Sequence, residues 1–169
     1  MKKLFIFTAV AVSLFACDKI TNATFSQTHT SGEFKVPDNL AAGDYIDTID
    51  LDIDLVAAAQ ANGTSLDLLK EIKLTSAKAI AITGNFDNFD NLSATFLADG
   101  LPNTLVMSKD PIEAPTTGTL DMDVNTTNDF LTQFKASGKK LIIKGKLKAA
   151  TTEEQAMKFE IGYNVKAGI

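Results

Sequence analysis

The chain has 169 residues and a formal net charge of −5, with 16 basic side chains, all of them lysine, against 21 acidic ones. An acidic chain repels nucleic acid, and the absence of arginine removes the side chain best suited to bidentate phosphate and guanine contacts. Tryptophan is also absent and only two tyrosines occur, which argues against an aromatic platform for glycans. The length suits one domain with a sizeable core better than two.

The first seventeen residues have the pattern of a secretory signal peptide. Met1-Lys2-Lys3 is positively charged, and an apolar run follows from Leu4 to Phe15. As a helix this run would span about 18 Å, against a hydrocarbon core of about 30 Å. The run therefore predicts a targeting segment that is cleaved from the mature protein. No later apolar run approaches the roughly 18 residues that a membrane span needs.

The end of this run, Leu14-Phe15-Ala16-Cys17, resembles the lipobox of bacterial lipoproteins. The resemblance implies a diacylglycerol thioether on Cys17, cleavage between Ala16 and Cys17, and acylation of the new amino terminus with fatty acids such as palmitate. Several acyl chains, at about 0.8 kcal/mol per buried methylene, hold a protein on a bilayer almost irreversibly. The alternative is an ordinary secretory signal with an incidental cysteine. With Cys17 acylated no thiol remains, so disulfides, zinc–thiolate sites and cysteine nucleophiles are excluded.

These assignments divide the chain into a signal peptide (residues 1–16), a lipidated tether (17–23) and a single domain (24–169). Removal of the signal leaves 14 lysines against 21 acidic residues. The tether reaches at most about 25 Å, so we expect the domain to lie close to the lipid surface.

Composition and the residue after the cysteine bear on location. The arginine-free, Asn-, Thr- and Asp-rich composition resembles that of small β-sandwich lipoproteins of the Bacteroidota. Asp18 resembles the inner-membrane retention signal of enterobacteria, whereas acidic residues at this place promote surface export in Bacteroidota. We expect a lipid-anchored protein of the bacterial cell envelope, with the outer membrane or cell surface favoured over the inner membrane.

Alternating apolar and polar residues predict strands in the first half of the domain. A strand is expected from Thr24 to Val36, broken near Ser31-Gly32, and another over Ile49–Leu55 with its aspartates facing water. Thr64 or Ser65 could cap a short helix that runs through Glu71. A long strand or two collinear ones should follow up to Gly84, with four apolar residues facing inward: Ile72, Leu74, Ile80 and Ile82.

The second half continues this pattern. Asn85–Leu92 is interpreted as a turn that aims Phe86, Phe89 and Leu92 into the core, followed by a strand pair, Ser93–Leu97 and Thr104–Ser108. Leu120–Val124 repeats the acidic alternation. Further elements are a helix over about Asp129–Ser137, capped from Asn125–Asn128 and stopped by Gly138, and a C-terminal β-hairpin of Lys139–Ala149 with Met157–Val165.

The predicted elements number seven to nine short strands and two short helices. This combination indicates a mainly all-β fold, an antiparallel β-sandwich of Ig-like or jelly-roll type. The outward lysines of the Lys139–Ala149 strand match the period of the aspartate strands, and opposite charges across neighbouring strands attract. We expect the lysine strand to lie beside at least one aspartate strand.

Two acidic segments are candidate calcium ligands. Asp50-x-Asp52-x-Asp54 opens like an EF-hand loop, but Leu55 and Ala61 stand where glycine and glutamate are required. Asp121-x-Asp123 fails in the same way, and a solvated strand face explains both. The Asn85–Asn91 turn offers Asp87 and Asp90 among asparagine carbonyls, which suits either calcium or simple turn formation.

Catalytic patterns are absent from the sequence. The one histidine, His29, has no Gly-x-Ser-x-Gly motif to serve, and no glycine-rich phosphate loop occurs. We therefore assign no catalytic, metal or cofactor residue, only the lipid site Cys17. The preferred function is a non-enzymatic, membrane-anchored binding or accessory module with a protein or glycan partner. The alternatives are a carboxylate-dependent hydrolase and a purely structural envelope protein.

Overall fold

The structure, a computed structural model, describes residues 22–116 and 118–168. This part of the chain forms nine β-strands, two short α-helices and one 3-10 turn. The strands are β1 (Asn22–Thr30), β2 (Phe34–Val36), β3 (Gly43–Asp50), β4 (Leu69–Ala81), β5 (Phe89–Leu97), β6 (Thr104–Lys109), β7 (Thr119–Val124), β8 (Lys140–Leu147) and β9 (Gln155–Gly168). The helices are α1 (Leu55–Ala61) and α2 (Leu131–Lys135), and the 3-10 turn covers Leu66–Leu68.

All strand pairs are antiparallel, in the continuous order β1-β9-β4-β7-β6-β5-β8-β3. β2 continues the line of β1 along the same edge of β9. The chain of strands folds over at β7, which pairs with β4 in one layer and with β6 in the other. The result is an antiparallel β-sandwich, which confirms the predicted fold class.

A single apolar core lies between the two layers. Six phenylalanines are less than 2% exposed: Phe34, Phe86, Phe89, Phe96, Phe130 and Phe159. Burying each aromatic side chain contributes about 1.5–3 kcal/mol to folding. The inward aim of Phe86, Phe89 and Leu92 is confirmed, and Phe89 N–H closes the turn by donating to the Phe86 carbonyl at 3.0 Å.

The predicted C-terminal hairpin is wrong. β8 pairs with β3 and β5 in one layer, whereas β9 pairs with β1, β2 and β4 in the other. Both strands bury their odd-numbered residues as expected. An alternation of buried and exposed residues is, however, equally compatible with two strands that face each other across the core and with two neighbouring strands of one sheet. The connection crosses the sandwich, and Thr151 within it is only 4% exposed.

The helix predicted to run through Glu71 is a single 3-10 turn, Leu66–Leu68, which follows Ser65 as expected, but its predicted extent is wrong because β4 begins at Leu69. The inward face of β4 changes midway: Ile72 and Leu74 are buried, but beyond a register shift at Leu74/Ser76 the buried residues are Ala77 and Ala79. A one-residue bulge moves every later side chain to the other face. Ile80 is therefore only half-buried, and Ile82 is 45% exposed.

Gly162 accommodates this bulge. It lies opposite Ser76 in β4, and a Cβ at this position would overlap the Ser76 hydroxyl. The absence of a side chain at residue 162 therefore leaves room for the Ser76 side chain at the bulge.

The first acidic segment is a strand only in part. Ile49, Leu51, Ile53 and Leu55 are buried and the aspartates between them are exposed, as predicted, but β3 ends at Asp50. The Asp54 carboxylate accepts a hydrogen bond from Ala57 N–H at 2.9 Å and so caps α1.

The second helix is shorter than predicted, and its start is fixed by a different residue. The Asp129 carboxylate accepts from Leu131 N–H and from Ile72 N–H of β4, both at 2.9 Å. Gly138, at φ +61°, follows the helix as expected.

The break in the first predicted strand is confirmed. β1 ends at Thr30 and β2 begins at Phe34. Between them Ser31 bonds to Phe159 through both its N–H, at 2.8 Å, and its hydroxyl oxygen, at 2.9 Å.

The two ends of the sandwich differ in what covers them. The helix end carries α1, the 3-10 turn and α2, together with the starts of β1 and β4. The loop end carries four connecting segments, residues 37–40, 85–88, 111–116 and 148–154. These two names are used below.

Candidate functional site

The lipid-attachment prediction falls outside the described residues. Cys17, the signal peptide and tether residues 18–21 all precede Asn22, where β1 begins. The described chain nevertheless fixes where this segment joins the sandwich: at the helix end, where Asn22 pairs with Gly168.

The lysine strand lies beside the part of the first predicted aspartate segment that forms a strand, but only Asp50 of that segment is in β3. β8 pairs with β3, which places Asp44 opposite Lys146 and Asp50 opposite Lys140. The Asp50 carboxylate is 3.6 Å from the Lys140 ammonium, and both side chains are largely exposed. The other acidic strand, β7, is not a neighbour of β8.

A shallow groove of about 270 Å³ lies on this charged face. Its lining comes from β3, β5 and β8: Asp44, Tyr45, Ile46, Asn91, Lys144, Gly145 and Lys146. Ile46 is 65% exposed and stands opposite Lys144. An apolar side chain among charges of both signs suits a polar partner that also has an apolar contact.

Tyr45 is the buried aromatic residue among those that line the groove, and it is 6% exposed. Its hydroxyl donates to the Lys35 carbonyl at 3.0 Å and lies 3.2 Å from the Asp47 carboxylate. Burial, together with the charge of Asp47, raises the pKa of Tyr45. The phenol therefore stays neutral and joins β3 to β2 across the open edge of the sandwich.

A second cavity of about 270 Å³ opens at the helix end. It is bordered by two acidic and two basic residues and by five apolar ones from the helices, the 3-10 turn and the segment before α1: Asp52, Ile53, Asp54, Leu55, Val56, Leu66, Phe134, Lys135 and Lys139. Asp54 is already committed to capping α1. The charged side chains of the lining are the carboxylates of Asp52 and Asp54 and the ammonium groups of Lys135 and Lys139.

His29 is half-buried on β1. Burial is the main cause that lowers the pKa of His29. The charge of Asp52 raises this pKa by less, and the charge of Lys139 lowers it by less still. Its Nε2 is buried and has no hydrogen-bond partner within the described residues.

The Asp87 carboxylate bonds to the protein itself. It accepts from Thr116 N–H at 2.6 Å and from the Thr116 hydroxyl at 2.8 Å. These bonds, with a smaller contribution from Lys148, hold its pKa below the ordinary value. A lowered pKa is the opposite of what a proton-donating carboxyl needs.

The two calcium candidates have separate partners. The Asp90 carboxylate lies 4.0 Å from the Lys146 ammonium, whereas Asp87 is bonded to Thr116. Within residues 22–116 and 118–168, no three His, Cys, Asp or Glu side chains are grouped so that they could hold a metal ion. The geometry favours turn formation as the role of this segment.

The sequence reasoning missed the groove and the bonds that fix its surroundings. Ile46 follows Tyr45 directly, and this pair of adjacent non-charged residues in an alternating strand is the one local signal of an exposed apolar position. The bonds of Thr116 to Asp87 and of Tyr45 to Lys35 have no local signal, because the partners meet only in the folded chain.

The chain was compared with known proteins. No protein-family model matches it, and no curated protein matches its sequence. Its fold is similar to the crystal structure of a decameric BFDV capsid protein, with a TM-score of 0.43 and 14% sequence identity, over 88% of this chain and 99% of that chain. At this TM-score the likeness is distant and says nothing about function. In the part of the chain that the structure describes, neither short helix could cross a bilayer.

Proposed function

We propose that this protein is a lipid-anchored, non-enzymatic module of the bacterial cell envelope that binds or supports another envelope component. The observation that carries the proposal is the lipobox-like Leu14–Cys17, which lies only five residues before the first strand of a folded sandwich. A lipidated cysteine followed by a structured domain is a design for holding that domain at a membrane surface.

The binding part of the proposal is supported by the groove on β3, β5 and β8. Its exposed Ile46 lies among Asp44, Lys144 and Lys146, which offer charges of both signs to a protein or glycan. Two side chains of catalytic type have no catalytic partner among their observed bonds: the Asp87 carboxylate is bonded to Thr116, and His29 Nε2 has no hydrogen-bond partner within the described residues.

The anchor is tested by the mass of the mature protein. The full chain, with its own signal, is expressed in a bacterial host and purified from the membrane fraction. We expect a polypeptide that begins at Cys17 and carries the added mass of a diacylglycerol and an amide-linked acyl chain. The Cys17→Ser variant should lack this mass and leave the membrane fraction. A mature chain that begins elsewhere, or a Cys17 without added mass, would contradict the proposal.

The groove is tested with the intact lipidated protein. A photo-crosslinking side chain at Ile46 should attach the protein to a discrete envelope component in living cells. The matched control is Leu105, another exposed apolar residue, which is 46% exposed on β6 and outside the groove. Equal products at both positions would argue against a specific binding face.

A further inference from the structure

The helix end brings the start of β1, a lysine and an exposed leucine together. Asn22 pairs with Gly168, and on the other side of β9 Leu69 pairs with Ala167. The Lys70 side chain lies over Gly168 so closely that a Cβ there would be 2.7 Å from its Cε and 3.7 Å from its Nζ. A cationic side chain therefore lies where the chain leads back toward Cys17.

Exposed apolar side chains lie on the elements that cover this end. Leu68 closes the 3-10 turn directly before β4 and is 39% exposed, and Val56 on the neighbouring α1 is 48% exposed. The opposite, loop end is distant, because the thirteen residues of β4 extend about 40 Å at 3.3 Å per residue. Ile82, 45% exposed, stands at that far end, just beyond β4.

We propose that the helix end rests on the phospholipid headgroups, with Leu68 in the interface and the Lys70 ammonium on lipid phosphate. This inference rests on the proposed lipid anchor. Five residue steps from Cys17 to Asn22 reach at most about 18 Å, which is less than half the length of β4. The anchor therefore holds the helix end, where β1 begins, close to the bilayer, whereas the loop end lies about 40 Å further along the sandwich.

The charge of Lys70 helps to orient the helix end toward the bilayer but does not attach the protein to it. Asp67 lies in the same turn as Leu68, and Glu71 is paired with Lys73 at 3.5 Å, so this end is not a basic patch. The acyl chains provide the attachment, while Lys70 and Leu68 favour one face over another. In this orientation the groove is kept clear of the bilayer, since Asp44 and Ile46 lie in the half of β3 that is nearer the loop end.

The orientation is tested on the full-length lipidated protein in vesicles of phosphatidylethanolamine and phosphatidylglycerol. Leu68→Cys and Ile82→Cys each introduce one thiol for an environment-sensitive fluorophore, because an acylated Cys17 does not react. With nitroxide-labelled headgroups in the vesicles, we expect at least twofold stronger quenching at position 68 than at position 82. Equal quenching, or stronger quenching at 82, would overturn the orientation.

The role of Lys70 has its own variant. Lys70→Glu should reduce quenching at position 68, whereas Lys144→Glu, at the groove, should leave it unchanged. No change with Lys70→Glu would overturn the assignment of this lysine to lipid phosphate.

The mass of Cys17 is measured on the same sample. A cysteine without acyl mass overturns the anchor and the orientation together, whereas an acylated cysteine with equal quenching overturns the orientation alone.

Discussion

Both ends of the sandwich combine apolar packing with side-chain hydrogen bonds, but different residues join them: Thr151 bonds two connecting segments together at the loop end, whereas Phe134 of α2 fills the helix end with its ring. At the loop end the Thr151 hydroxyl donates to the Pro37 carbonyl at 2.6 Å and accepts from Leu40 N–H at 2.9 Å. At the helix end Phe134 packs against three aromatic rings. The stability of the loop end therefore depends on individual hydrogen-bonding atoms such as the Thr151 hydroxyl, and that of the helix end on the volume filled by Phe134.

This difference decides which substitutions each end tolerates. A buried hydrogen bond is lost when one atom changes, and the group left behind is desolvated without a partner. An apolar contact weakens in proportion to the volume removed. Conservative changes should therefore affect the loop end more, and large-to-small changes the helix end more.

The largest expected effect is at the helix end. Phe134→Ala removes the ring of a residue that is 2% exposed. The centroid of this ring lies 5.6 Å from that of Phe96, 5.2 Å from that of Tyr163 and 6.2 Å from that of Phe130. We expect the free energy of unfolding to fall by about 3–5 kcal/mol, since the cavity adds to the lost transfer energy. Urea denaturation of the mature domain measures this loss.

The matched control is Leu131→Ala on the same helix, where the side chain is only half-buried. It should cost clearly less, because part of the removed surface already faces water. An equal loss from both variants would mean that α2 itself, and not the packing of Phe134, closes this end.

A smaller effect is expected from Thr151→Val at the loop end. The substitution keeps the shape of the side chain but removes the hydroxyl that bonds to Pro37 and Leu40. Thr151 is 4% exposed, so its partners lose their bonds away from water and we expect a cost of about 1–3 kcal/mol. Urea denaturation again provides the measurement.

Thr152→Val is the control for this position, because Thr152 is the exposed neighbour of Thr151. It should change stability by less than about 0.5 kcal/mol. If both variants had equal effects, the hydroxyl of Thr151 would not be what joins the loops.

The faces of the strands could be predicted from the sequence, but their partners could not. Alternation fixed which residues of β8 and β9 face the core, because a period of two needs only local information. The same alternation fits a hairpin or two facing layers, so pairing β8 with β9 was wrong. The bulge in β4 was missed because the residue that it lies against, Gly162 opposite Ser76, is in another strand.

The features of the candidate site also divide into those that local sequence predicts and those that only the folded chain brings together. The lipobox-like segment is contiguous, so the sequence alone predicts Cys17, and that prediction stays untested by the described residues. The charged neighbours on β3 and β8 were expected because opposite ladders attract. The groove depends on three strands meeting around Gly145, and local patterns do not report such a meeting.

The smallest expected effect concerns how the stability of each end changes on acidification. The bonds from Thr116 lower the pKa of Asp87, so its stabilising contribution is present above the ordinary value and is lost as pH falls through the lowered one. Asp87→Asn should therefore reduce stability at about pH 7 and flatten the loss of stability on acidification. Urea denaturation of both proteins at several pH values below neutral measures this.

The comparison for Asp87 is Asp50→Asn at the helix end, which removes the same charge from an exposed ion pair with Lys140. Exposed pairs of this kind contribute about 0–1 kcal/mol, and added salt should remove most of that contribution. The effect of Asp87→Asn should persist in salt, because it comes from short hydrogen bonds to the backbone and hydroxyl of Thr116. Equal salt sensitivity of the two variants would mean that Asp87 acts through its charge alone, and that hydrogen bonding does not distinguish the loop end.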